Sequence, residues 1–117
     1  LPGEWQKKLV DLNIETLKNR DINWADYVFI SGTFNVKFRE DQDAWVFRIL
    51  RRLFEKARCG LAINMLSTYY DPGHFRDDMF YCKPERALAE AHAITRWVTL
   101  RHDYMPHDFT LYLYRKG

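Results

Sequence analysis

Apolar and polar positions follow two different periods along this chain. The helical period is clearest over residues 44–58. There Val46, Ile49, Leu50, Leu53, Phe54 and Ala57 fall at i, i+3, i+4, i+7, i+8 and i+11, while Arg48, Arg51, Arg52 and Glu55 take much of the opposite face. Asp41 or Asp43 is placed to cap this helix, and Gly60 sits where a helix stop is expected. Two shorter runs flank it. Asp26-Tyr27-Val28-Phe29-Ile30 is dense in β-branched and aromatic residues and ends at Ser31-Gly32. Residues 61–66 are apolar except for Asn64. Strand, helix and strand with short joints predict a βαβ unit with parallel strands and a right-handed crossover.

Beyond this unit, residues 67–83 read as a loop, with Asp71-Pro72-Gly73 as a turn signal. Pro84 suits the first turn of a short Ala-rich helix over 85–93. Extended runs at 96–104 and 108–115 lie either side of Met105-Pro106-His107 and predict an antiparallel hairpin. At the other end, residues 3–18 admit two readings. Trp5, Leu9, Val10, Ile14 and Leu17 recur as on a helix face, and Val10, Leu12 and Ile14 alternate as in a strand; the helix is preferred. The expected fold is α/β, a mixed sheet of about four strands with at least two helices and a C-terminal antiparallel hairpin. Parallel strands need cover on both faces, so a sheet with so few helices leaves an edge or a face open. The strand at 26–30 is the expected edge.

Composition narrows the class. At 117 residues the chain is one domain by size. A hydrophobic share of 47% excludes a disordered tail, and an aromatic share of 16% supplies either a core or an adhesive interface. Net charge is 18 minus 16, or +2, and Glu55 interrupts the basic helix face, so no nucleic-acid partner is expected. Apolar runs are shorter than a membrane span and no signal peptide is recognisable, so no membrane partner is expected either. Cys59 and Cys82 lack partners at zinc-ligand spacing and read as reduced thiols of a cytoplasmic protein.

The order strand, Ser-Gly-Thr-Phe-Asn, helix, Gly, strand, terminal hairpin resembles the second half of a class I S-adenosylmethionine-dependent methyltransferase. That fold has seven strands, the last antiparallel to the rest. DYVFISGTFNVK looks like its fourth strand and following loop, GLAINMLSTYYD like its fifth, and HDYMPHDFTLYLYRK like its last turn and strand. The resemblance covers roughly residues 21–117. It implies a truncated Rossmann-like half-domain, with residues 1–117 forming one methyltransferase-like unit. It also implies methyl transfer from S-adenosylmethionine to a small molecule. The family's Gly-rich loop and ribose-binding acidic residue are absent. Gly3, Gly32, Gly60, Gly73 and Gly117 are scattered and make no G-x-G-x-x-G. The cofactor is therefore either none or S-adenosylmethionine held with help from residues upstream of Leu1.

Open α/β sheets bind ligands beyond the carboxyl ends of their strands, which directs attention to residues 31–35 and 64–71. Ser31, Gly32 and Asn35 are the cofactor-side candidates, and Asn64, Tyr69 and Tyr70 the substrate-side ones. Asn64 is the most informative, because an amide in an apolar strand needs partners. It either bridges to the 31–35 loop or faces a pocket. His102 and Asp103 point to opposite faces of an extended strand and cannot pair, whereas His102 and Tyr104 share a face. These two are the candidates to deprotonate an acceptor. No Ser or Cys nucleophile lies in the local motif, so hydrolysis is not expected. His74, His102 and His107 lack a metal-ligand spacing, and no metal site is expected. The alternative function is a non-catalytic homo-oligomer, a dimer in its simplest form, formed because an unpaired sheet edge favours self-association.

Overall fold

The dense run at Ala25–Ile30 forms strand β1, as its residue types require. The computed structural model describes residues 25–32, 34–37 and 41–116; the helix read over 3–18 and Thr33 lie outside them. Helix α1 spans Gln42–Lys56, strand β2 Ala57–Ser67 and strand β3 Tyr81–Cys82. Helix α2 spans Pro84–Ile94, strand β4 Trp97–Arg101 and strand β5 Asp108–Tyr114. The sheet order is β1-β2-β5-β4, and β3 pairs with the end of β2. β1 and β2 are parallel, whereas β5 is antiparallel to both β2 and β4. The expected mixed sheet, two helices and terminal hairpin are all present. Of the described strands, β1 is one edge and β4 the other.

Alternation along the strands divides the sheet into unlike faces. Val28 and Ile30, Leu61, Ile63 and Met65, and Phe109, Leu111 and Leu113 are all buried in one core cluster. They share it with Val46, Ile49, Leu50 and Leu53 of α1 and Ala87 and Ala91 of α2. Both helices therefore pack on that face. The other face carries Tyr27, Phe29, Asn64, Tyr112 and Tyr114, which are half-buried. No helix among the described residues is long and apolar enough to cross a membrane.

Three boundary readings change. Gly60 does not stop α1. The helix ends at Lys56, Ala57 is already extended, and Gly60 lies inside β2 opposite Tyr114. The terminal carbonyls that a C-terminal glycine motif would satisfy are met by Arg115. Its guanidinium donates to the carbonyls of Phe54 (2.8 Å), Glu55 (3.3 Å) and Ala57 (3.1 Å) and lies 4.6 Å from the centre of the Phe54 ring. At the other end Asp41 occupies the cap position without a side-chain cap bond, and Asp43 in the first turn pairs with Arg86 at 2.6 Å. β4 also stops earlier than the run 96–104 suggested. Arg101 is its last paired residue, and its guanidinium forms a fork with the Asp103 carboxylate at 3.1 Å beyond the strand end.

Candidate functional site

Because β1 and β2 are parallel, their carboxyl ends open on the same side of the sheet, and the two candidate loops meet there. Asn64 laces them together. Its Oδ1 accepts the Gly32 N–H at 2.9 Å and its Nδ2 donates to Ser31 Oγ at 3.2 Å. Of the two roles open to Asn64, the structure shows the bridge. Gly32 has φ 71°, a left-handed conformation that suits glycine and aims its N–H at the amide. Asn35 donates its N–H to the Gly32 carbonyl at 3.4 Å, and its own carbonyl accepts the Phe80 N–H at 2.8 Å. Its side-chain Oδ1 is buried without a hydrogen-bond partner among the described residues.

Gln42, which no motif singles out, anchors the same loop. Its side chain is only 2% exposed, and Nε2 donates to the carbonyls of Phe34 (3.2 Å) and Val36 (3.0 Å). A signal was available: Gln42 lies one turn before Val46, on the apolar stripe of α1, where a polar side chain must find partners.

Tyr69 and Tyr70 do not wall one pocket. The Tyr69 hydroxyl donates to the Glu85 carboxylate at the start of α2, and its ring edge meets His102 at 6.0 Å. This hydrogen bond, reinforced by the carboxylate's charge, raises the Tyr69 phenol above its ordinary value and lowers Glu85 below its own. Tyr70 turns the other way and packs on Tyr81 (4.9 Å) and Phe75 (5.6 Å).

His102 and Tyr104 do not share a face. Both lie in the turn after β4. His102 Nε2 is 2.7 Å from Ser67 Oγ and its ring stacks over Phe109, on the helix-covered side. The Tyr104 hydroxyl is 2.6 Å from Thr110 Oγ1. Phe109 and Thr110 are consecutive in β5 and point to opposite sides, which separates their partners. Burial raises the Tyr104 phenol, so it holds its proton rather than acting as a ready base. Ser67 supplies a histidine partner 35 residues distant in sequence, yet it is fully buried and its Oγ also accepts the Tyr69 N–H at 3.0 Å. It is a structural bridge, not an accessible nucleophile. His74 and His107 stack on each other at 4.2 Å, and His102 is not in the group of ligand atoms they form among the described residues.

A separate open cleft of about 500 Å³ lies between the start of α1 and the segment before α2. It is lined by Lys37, Asp43, Phe75, Met79, Tyr81 and Arg86, among others, and by none of the candidate site residues. Cys82 is buried, whereas Cys59 is exposed; both are free thiols. Burial, with a smaller contribution from Asp43 and against the opposing Arg86, pushes the Cys82 thiol up to about 12. One thiol is therefore expected to react rapidly with a disulfide reagent at neutral pH, and the second only after unfolding. The raised value also has a sign. The unfolded chain ionises Cys82 from its ordinary value of 9.0 while the folded chain still holds the proton. Stability is thus complete below that pH and falls as pH rises towards about 12. In Cys82→Ala the fall measured by urea unfolding across this window should be shallower.

The chain matches no protein-family model. It is 36% identical over 98 residues to a Mycobacterium tuberculosis protein named "Putative methyltransferase Rv1506c". The match takes in 80% of this chain and 58% of that protein, so the chain spans a little over half the length of the relative it matches. It is a small α/β domain distantly related to that protein.

Proposed function

We propose that the chain is a single methyltransferase-like unit: the half of a Rossmann-like domain that carries the last strands and the acceptor-side loops. The observation that supports this most is the lacing of the 31–35 loop to β2 through Asn64, at the carboxyl end of a parallel pair, in a sheet whose last strand runs against its neighbours. The distant relationship to a protein named as a methyltransferase points the same way.

S-adenosylmethionine fits this chain only in part. The Oδ1 of Asn35, buried and without a hydrogen-bond partner among the described residues, is an acceptor that a donor such as the adenine amino group would reach only if the 31–35 loop opened. Asn64, by contrast, is engaged by Ser31 and Gly32, and no Gly-rich loop is present to approach the nucleoside. The reading is tested by titrating S-adenosylmethionine into the folded chain while following backbone amides by NMR. Saturable shifts confined to Gly32, Asn35 and Asn64 are expected, at low affinity. An unchanged spectrum at those three positions would remove cofactor contact from this chain.

A further inference from the structure

We propose that Asp71, His74 and His107 form a binding site for one divalent transition-metal cation of the Zn²⁺ class. The site needs neither the methyltransferase reading nor its cofactor, and its test is independent of both.

The site is built by two turns. Asp71-Pro72-Gly73-His74 closes on itself through a His74 N–H to Asp71 carbonyl bond of 3.0 Å, with Gly73 at φ 90°. Pro at the second position and a left-handed Gly at the third are the signature of a type II turn, which sets its first and fourth residues side by side. His107 arrives from the β4–β5 connection. Its carbonyl accepts the Ser67 N–H at 2.7 Å, pinning that connection to the end of β2 just before Asp71. One donor atom from each of the three residues lies within 4.8 Å of the others, and His107 Nε2 is 3.9 Å from Asp71 Oδ2. Ligands on a tetrahedral ion with bonds of about 2.0–2.1 Å sit about 3.4 Å apart. Rotating Asp71 and His74, both exposed on a turn, closes that difference.

The second observation comes from His107 itself. Its side chain is 23% exposed, its Nδ1 is buried without a partner, and its Nε2 stands too far from Asp71 for a hydrogen bond. Neither nitrogen of this largely buried imidazole is hydrogen-bonded among the described residues, an arrangement folded proteins seldom leave uncompensated. The His74 ring stacked on it at 4.2 Å keeps a second imidazole beside it, and rotation of that exposed side chain turns one of its nitrogens towards the same point. A cation held by two imidazoles and a carboxylate gives His107 Nε2, the nitrogen that faces Asp71, the partner it lacks among the described residues. The donor set suits Zn²⁺ and leaves one position for water or a ligand atom. Bound there, the ion clamps the loop that follows β2 to the turn that precedes β5.

The experiment uses the full, untagged chain carrying Cys59→Ser, which removes the exposed thiol as a rival ligand. Co²⁺ uptake is followed by visible absorption, with Zn²⁺ added to displace it. One equivalent is expected to bind, moving the imidazole ¹H–¹⁵N signals of His74 and His107 but not His92. Asp71→Asn, His74→Ala and His107→Ala should each weaken binding by more than about tenfold, and His92→Ala should leave it unchanged. His107 is partly buried, so the decisive variant is His74→Ala, whose far-UV spectrum should match the parent. Equal affinity in the parent and His74→Ala, or no saturable uptake of either ion by the folded chain, overturns the site.

Discussion

Gly60→Val is expected to destabilise the fold by about 3 kcal/mol, the upper end of the usual cost of overpacking, and to lower the urea midpoint accordingly. Gly60 lies in β2 opposite Tyr114 of β5, the end pair of the ladder that joins the two central strands. A Cβ there would sit 2.7 Å from the Leu113 carbonyl oxygen and 3.2 Å from the Tyr114 ring. The first of these neighbours is backbone, which cannot swing aside as a flexible side chain would. The two strands must separate locally, and the registry that buries Leu61 against Leu113 is strained with them. The requirement is for close approach and not for an unusual φ, so Gly60→Ala should already be harmful, by less than the valine. A midpoint for Gly60→Val equal to the parent's would show that β2 and β5 can part without cost.

Gln42→Leu is expected to cost about 2 kcal/mol while leaving the helix content of the folded protein unchanged. The substitution keeps most of the side-chain volume but removes both donors to the Phe34 and Val36 carbonyls. The Phe34 bond is the buried one, so its orphaned carbonyl accounts for most of the loss; Val36 is exposed and water can replace its partner. The loop leading to α1 should loosen before the helix does. Hydrogen exchange at the Asn35–Phe80 and Lys37–Asp78 bonds reads that loosening directly. Exchange at those amides as slow as in the parent would mean that Gln42 does not anchor the loop.

Much of this fold is legible from local pattern. The stripe on α1 and the β-branched run of β1 are decided by short-range periodicity and residue type, and both elements appear within two residues of where the pattern puts them. Pro84 opens α2 at its first turn. Gly60 is ambiguous in the sequence, because a glycine after a helical run carries the same local signal whether it stops the helix or admits a neighbouring strand. The deciding partner, Arg115, lies about 60 residues downstream. A strand extended beyond Arg101 would put His102 and Tyr104 on one face. The early end of β4 places them on either side of β5.

The candidate site divides in the same way. The amino-acid order by itself determined that Asn64 would need partners, that Asp71-Pro72-Gly73 would turn, and that a parallel βαβ unit would carry two loops at one end of a sheet. Each of these follows from steric and hydrogen-bonding demands acting over a few residues. Only the tertiary structure decided which distant groups answer those demands. It brought Gly32 and Ser31 to Asn64, Ser67 to His102, Glu85 to Tyr69, and His107 to Asp71 and His74. The separations are 16 to 36 residues, and no local spacing encodes them. They are set by strand register and by which loops share an end of the sheet, once burial of the aliphatic face has fixed both.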